Sequence, residues 1–248
     1  MYEKIKYLHC GESGIVMEFG NEISKDINAK IRSVVDLIDR DNHPYIIDIL
    51  PTYRSVLIQY DARQISYKDI VEKLKEYENA NVSKQEEEVR LIKLPTVYGG
   101  EYGPDIEFVA NHNNLSVEEV IKIHTSTDYL VYMLGFIPGF TYLGGMSDKI
   151  ATPRLASPRT KIDAGSVGIA GNQTGTYPTD SPGGWQIIGR TPLQLFSPES
   201  EPPVFINSGD YIRYEQISEE EFKSIKKQVE EKTYKPDIKI VKRGDLHE

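Results

Sequence analysis

The chain has 248 residues, of which 39% are hydrophobic and 27% charged, and a formal net charge of −9 at pH 7. That length buries a proper core in one large or two small domains, and that charge disfavours non-specific binding to nucleic acid or to an anionic membrane. A single cysteine, Cys10, excludes an internal disulfide and suits a reducing compartment, so the expected location is the cytoplasm.

The start, MYEKIKYLHCGE, has no apolar core of signal-peptide length. IKYLHCG and GIVMEFG are two short strands joined through Gly11 and Gly14. Residues 24–41 are a helix: Ser24 can cap it, and Ile27, Ile31, Val34, Val35 and Ile38 recur at three- and four-residue steps. YIIDILP and RSVLIQYD form two strands about Pro51, and residues 66–80 form a second amphipathic helix with Ile70, Leu74 and Tyr77 turned inward. Strand, strand, helix, repeated once, predicts a small α+β sandwich over residues 1–88. The polar, acidic run at 81–90 reads as a solvated linker or helix end.

A second domain is expected over 89–248. VRLIKLPTVYGG is a strand entering a turn, and residues 115–127 are a helix whose Ser116 and Glu119 make a capping box. Beyond residue 128, turn residues punctuate the short apolar stretches YLVYML, SVGIAG, WQIIG, PLQLF and DYIRYE, a spacing that predicts a barrel or sandwich of strands. The longest apolar run, YLVYMLGFI at 129–137, is about half of a membrane span. A charged helix at 218–231 and a short strand at 238–241 close the chain.

Several chemistries are missing from the sequence. It has no phosphate-binding GxxxxGK[ST] loop, no GxGxxG, no HExxH, no paired CxxC and no GxSxG elbow. Histidines at 9, 43, 112, 124 and 247 lack metal-ligand spacing, and no metal site is expected. What remains is a concentration of glycine, proline and rings. Residues 131–146, VYMLGFIPGFTYLGGM, are either a tight barrel corner with core aromatics or the stiff wall of a ligand pocket. Residues 171–192 hold five glycines, three prolines and the only tryptophan. Across 149–196, five cations face two carboxylates, and guanidinium groups on a stiff loop suit a carboxylate or phosphate. His124, near a helix end, is either a packing or capping residue or an acid–base group facing the aromatic loop.

HTSTDYLVYMLGFIPGFTYLGGM, PRLASPRT, AGSVGIAGNQTGTYPTDSPGGWQIIGRTP and the earlier YGGEYGPDIEFVA together closely resemble the B-subunit family of carboxyltransferase domains. That family includes the B subunit of 5-oxoprolinase, the domain once called allophanate hydrolase subunit 1, and the Kip-type sporulation kinase inhibitor. The resemblance spans nearly the whole chain and is most specific over 95–196. It implies an α+β N-terminal domain followed by a mainly-β, cyclophilin-like barrel. It also implies a carboxyltransferase-domain partner of the C-subunit type and a hydrolase of the A-subunit type. With these, 5-oxoproline is opened to glutamate at the expense of ATP supplied through the complex. Two other roles occur in the family: inhibition of a sensor histidine kinase, and carboxyl transfer from biotin to urea.

The site expected from the resemblance sits at the barrel mouth. Phe136, Phe140, Tyr142, Tyr177 and Trp185 would form an apolar wall, Gln173 would bond the lactam, and Arg154, Arg159 or Arg190 would hold the carboxylate. His124, Arg159 and Gln173 are the expected catalytic groups. One departure stands out: Asp163 lies where the family is expected to carry a proline before AGS.

Overall fold

A computed structural model describes residues 1–78 and 88–247. Residues 79–80 of the second predicted helix and 81–87 of the acidic run lie outside the described residues. The chain divides into two compact units, Met1–Glu87 and Glu88–Glu248.

The first unit follows the order β1 (Lys6–His9), β2 (Gly14–Glu18), α1 (Lys25–Asp41), β3 (Ile46–Pro51), β4 (Ser55–Tyr60) and α2 (Tyr67–Lys75). The strands pair antiparallel in the order β1-β2-β4-β3. Ser24 Oγ accepts the Ile27 N–H at 3.2 Å, and Ser66 Oγ accepts the Asp69 N–H at 3.3 Å, so each helix starts on a side-chain cap. The apolar stripe of α1 (Ile27, Ile31, Val34, Ile38) meets Ile70 and Leu74 of α2 and the inward strand residues Ile15, Met17, Val56 and Ile58 in one core.

The second unit comprises β5 (Glu88–Tyr98), α3 (Ile106–His112), α4 (Val117–Thr125), β6 (Tyr129–Leu134), β7 (Thr141–Gly144), β8 (Arg159–Ile162), β9 (Ser166–Ala170), β10 (Gln173–Thr176), β11 (Ser181–Gly183), β12 (Gln186–Arg190), β13 (Tyr211–Gln216), α5 (Glu219–Glu230) and β14 (Ile238–Lys242). Its main sheet runs β10-β9-β12-β5-β13-β6-β7, with β14 also paired to β5. β10 lies alongside β7, so the sheet curls into a nearly closed, barrel-like shape. The long strand β5 pairs antiparallel with β12 and β14 and parallel with β13. Ile92, Leu94, Val131, Leu143, Val167, Ile169, Ile188 and Ile212 fill the interior, joined by Val109 and Ile106 of α3 and Val120 of α4. The Ser116–Glu119 capping box forms in both directions, at 2.7 and 3.2 Å.

Two local features differ from the sequence reading. The short helix α3 is not among the expected elements; it starts at Asp105 without a side-chain cap bond, because that carboxylate is engaged by Arg159 and the Ile187 N–H. The PLQLF stretch is not a strand: Pro192 offers no N–H to a ladder, and the segment passes as loop. No helix among the described residues is long and apolar enough to cross a membrane.

Candidate functional site

The hairpin β6–β7 turns through Gly135–Phe140, with Phe136 at φ 64° and Gly139 at φ 82°. A glycine takes that conformation freely, whereas a phenylalanine is strained in it. The turn leaves Phe136 68% exposed at the rim and sends Phe140 inward. Alternation along the strand then places Phe140 and Tyr142 on one face, while Leu143 enters the barrel core. Opposite, the β9–β10 hairpin closes in two residues on Gly171 at φ 61°, which sets Gln173 at the start of β10.

These elements enclose a recess of about 200 Å³ lined by Phe136, Phe140, Tyr142, Arg154, Gln173, Tyr177, Pro182, Gly183, Gly184 and Trp185. Phe140 is its centre. Its ring stands edge-on to Tyr142 at 5.2 Å, Phe136 and Trp185 at 5.7 Å, and Tyr177 at 5.9 Å. Such pairs contribute about 0.5–1.5 kcal/mol each beyond area burial, so the wall is rigid before any ligand arrives. The Arg154 guanidinium lies 6.0 Å from the Trp185 ring centroid and has no carboxylate partner among the described residues. The recess therefore offers flat apolar walls, one amide and one cation whose charge is not already answered.

A half-buried clasp holds the wall from behind. Arg159 donates from Nη2 to Asp105 Oδ1 at 2.7 Å and from Nη1 to the Trp185 carbonyl at 3.2 Å. Asp105 Oδ2 in turn accepts the Ile187 N–H at 2.6 Å. Burial raises the Tyr177 phenol above its ordinary range, while the nearby Arg154 and Arg159 charges pull it down. Gly183 makes the close approach possible: a Cβ there would sit 2.4 Å from the Tyr177 hydroxyl.

Three expected site residues lie away from the recess lining. Arg159 is engaged in the clasp just described. Arg190 donates to Asp163 at 2.8 Å and lines a different cavity. His124 is fully buried beneath rings of Tyr98, Tyr129 and Tyr214, with centroids 4.5–5.8 Å away. The Thr174 hydroxyl donates its one hydrogen to the Gly168 carbonyl at 3.1 Å, so it must accept from His124 Nε2–H at 2.7 Å. Nδ1 is then free to accept from the Tyr98 hydroxyl at 2.8 Å. Desolvation lowers the imidazole pKa to about 3, which agrees with a neutral ring. His124 thus braces Thr174, the neighbour of Gln173, instead of facing the aromatic loop.

Asp105, Pro182 and Gly183 were not singled out by the sequence. Asp105 had no local signal, since its partners Arg159 and Ile187 are 54 and 82 positions away. Among the described residues no group of three or more His, Cys, Asp or Glu side chains is arranged to hold a metal ion.

Residues 5–206 match the family model for the carboxyltransferase domain, subdomain C and D. The B subunit of 5-oxoprolinase from Bacillus subtilis (strain 168) is 43% identical over 234 residues, covering 88% of this chain and 95% of that protein. Its counterpart from Escherichia coli O157:H7, also a 5-oxoprolinase B subunit, is 38% identical over 205 residues, covering 82% and 92%. In fold, the crystal structure of the K. lactis urea amidolyase is similar with a TM-score of 0.80 at 22% identity, over 96% of this chain and 16% of that one.

Proposed function

The chain belongs to the carboxyltransferase domain family, subdomain C and D, and from that premise we propose that it is the B subunit of an ATP-dependent 5-oxoprolinase, converting 5-oxoproline to glutamate together with the A and C subunits. On this reading the nearly closed sheet is the family's cyclophilin-like barrel, Met1–Glu87 is its α+β companion domain, and the assembly works in the cytoplasm. The observation that carries the proposal is the recess itself: an aromatic wall, an amide and a carboxylate-free arginine within about 200 Å³.

The chemistry follows from the lining. The flat lactam ring lies against Phe140 and Trp185, the Gln173 amide bonds the lactam group, and Arg154 holds the carboxylate by paired donors. Arg159 and His124 act as positioning residues, one through Trp185 and Asp105, the other through Thr174. The recess lies below the roughly 300–1,000 Å³ of sites that take drug-sized ligands. It suits one small ring and leaves the nucleotide to be supplied through the complex. Positioning and charge stabilisation are most of what phosphoryl transfer to an amide oxygen demands of a protein, and the recess supplies the positioning of the ring.

The test is reconstitution. This chain, co-purified with the A and C subunits, should form glutamate from 5-oxoproline only when ATP is present, and the chain alone should be inactive. Arg154→Met should lower kcat/KM at least tenfold, chiefly through KM, because it removes carboxylate binding. Equal turnover by the A and C subunits without this chain would sink the proposal.

A further inference from the structure

A second cavity, about 780 Å³ in volume, opens beside α5 and has a different character. Its floor is apolar: Tyr102, Leu193 and Phe222 are each less than a tenth exposed, and the Tyr102 and Phe222 rings lie 4.8 Å apart. Its rim is cationic. Phe222 pins α5 against the barrel, and Lys223 and Lys226 line the opening; a spacing of three places them on one helix face. Lys223 comes only within 3.9 Å of Glu219, and Lys226 has no ion pair among the described residues.

Arg190 completes the rim from the end of β12. Its Nη2 is held by Asp163, but its Nε is buried without an acceptor among the described residues. Asp163 is also met by Lys161 at 3.3 Å, and Lys161 in turn reaches Asp180 at 2.9 Å. The carboxylate on this wall is therefore answered twice, which leaves Glu101 as the other acidic lining residue. A net positive opening over an apolar floor is the reverse of the chain's −9 balance.

We propose that this cavity binds small anions that join an apolar body to a phosphate or carboxylate group. Lys223 and Lys226 meet the oxyanion, Arg190 supports it from the wall, and Tyr102, Leu193 and Phe222 take the apolar body. The volume lies within the range typical of small-molecule sites. The cavity is distinct from the aromatic recess yet shares a wall with it, since Tyr177 lines one and the next residue, Pro178, lines the other.

Phenyl phosphate, benzoate and uncharged benzyl alcohol, titrated into the full chain by calorimetry, test the assignment. Saturable binding is expected for the two anions, with benzyl alcohol at least tenfold weaker. The double variant K223Q/K226Q should weaken both anions at least tenfold. Both lysines are exposed, so its melting temperature should match the wild type. Titrated in an Arg154→Met background, which removes the cation of the aromatic recess, both anions should still saturate at this cavity, so either reading can fail without the other. The assignment is overturned if neither anion saturates, if binding survives K223Q/K226Q, or if Arg154→Met abolishes it instead.

Discussion

At Gly183 one added carbon would meet the Tyr177 hydroxyl at 2.4 Å and the Ile162 methyl at 2.8 Å. The Ile162 methyl can turn aside, but the Tyr177 ring is packed between Phe140 and Trp185. Gly183→Ala should therefore lower stability by about 1–3 kcal/mol, the usual range for overpacking, and raise KM in the reconstituted complex; urea melts and steady-state kinetics would read the two effects. His124 makes a pH-dependent prediction. Its pKa is about 3 in the fold against 6.5 for the free side chain. A depressed pKa means that the unfolded chain binds the extra proton first, so stability is complete above pH 6.5 and declines as pH falls toward 3. The slope from this one residue is up to ~1.4 kcal/mol per pH unit, and it should vanish in His124→Gln when denaturation is measured from about pH 7 to about pH 4. Legibility at this scale followed concentration. Phe140, Tyr142, Tyr177 and Trp185 stood out because two short segments carry them between glycines and prolines. Arg154, Arg159 and Arg190 looked alike in sequence, and only their partners separate them: an indole ring, a half-buried carboxylate and an exposed one.

The β6–β7 hairpin stores strain in its turn. Phe136 at φ 64° occupies a region that costs a side-chain-bearing residue about 1–2 kcal/mol, and its ring is mostly exposed, so packing regains little. Asparagine tolerates that region better. Phe136→Asn should keep or raise the melting temperature while weakening substrate binding severalfold, since the rim ring is lost; a fall in both together would mean that the ring serves the fold. Gly139 in the same turn is confined as well, with Phe196 and the Leu195 carbonyl both 3.1 Å from where its Cβ would lie. Element by element, the sequence exposed whatever had a long period or a cap: α1, α2, α4 and α5 each begin on a serine. It hid β8, β10 and β11, which are three or four residues long and read RTKI, QTGT and SPG. Such segments pair because neighbouring strands offer free backbone groups, and no side-chain alternation announces that.

Over the whole molecule, each unit carries its own core, and the only tryptophan belongs to the second. Ile31 is fully buried in the first. Ile31→Ala should cost that unit about 2–5 kcal/mol. In urea, far-UV circular dichroism should then show an early transition while Trp185 fluorescence keeps its wild-type midpoint; a parallel shift of both signals would show that the units unfold as one. The sheet order was beyond reach of the sequence, because it depends on pairings between distant segments. β5 is the case in point: it opens its unit, yet it pairs with β12, β13 and β14, which come far later in the chain. During synthesis at ~5–20 residues per second, that strand leaves the ribosome and waits on the order of ten seconds for its neighbours. Through that interval VRLIKLPTVY is a bare, sticky ribbon. Yield in a heterologous host will accordingly depend on chaperone supply more than on the finished protein's stability.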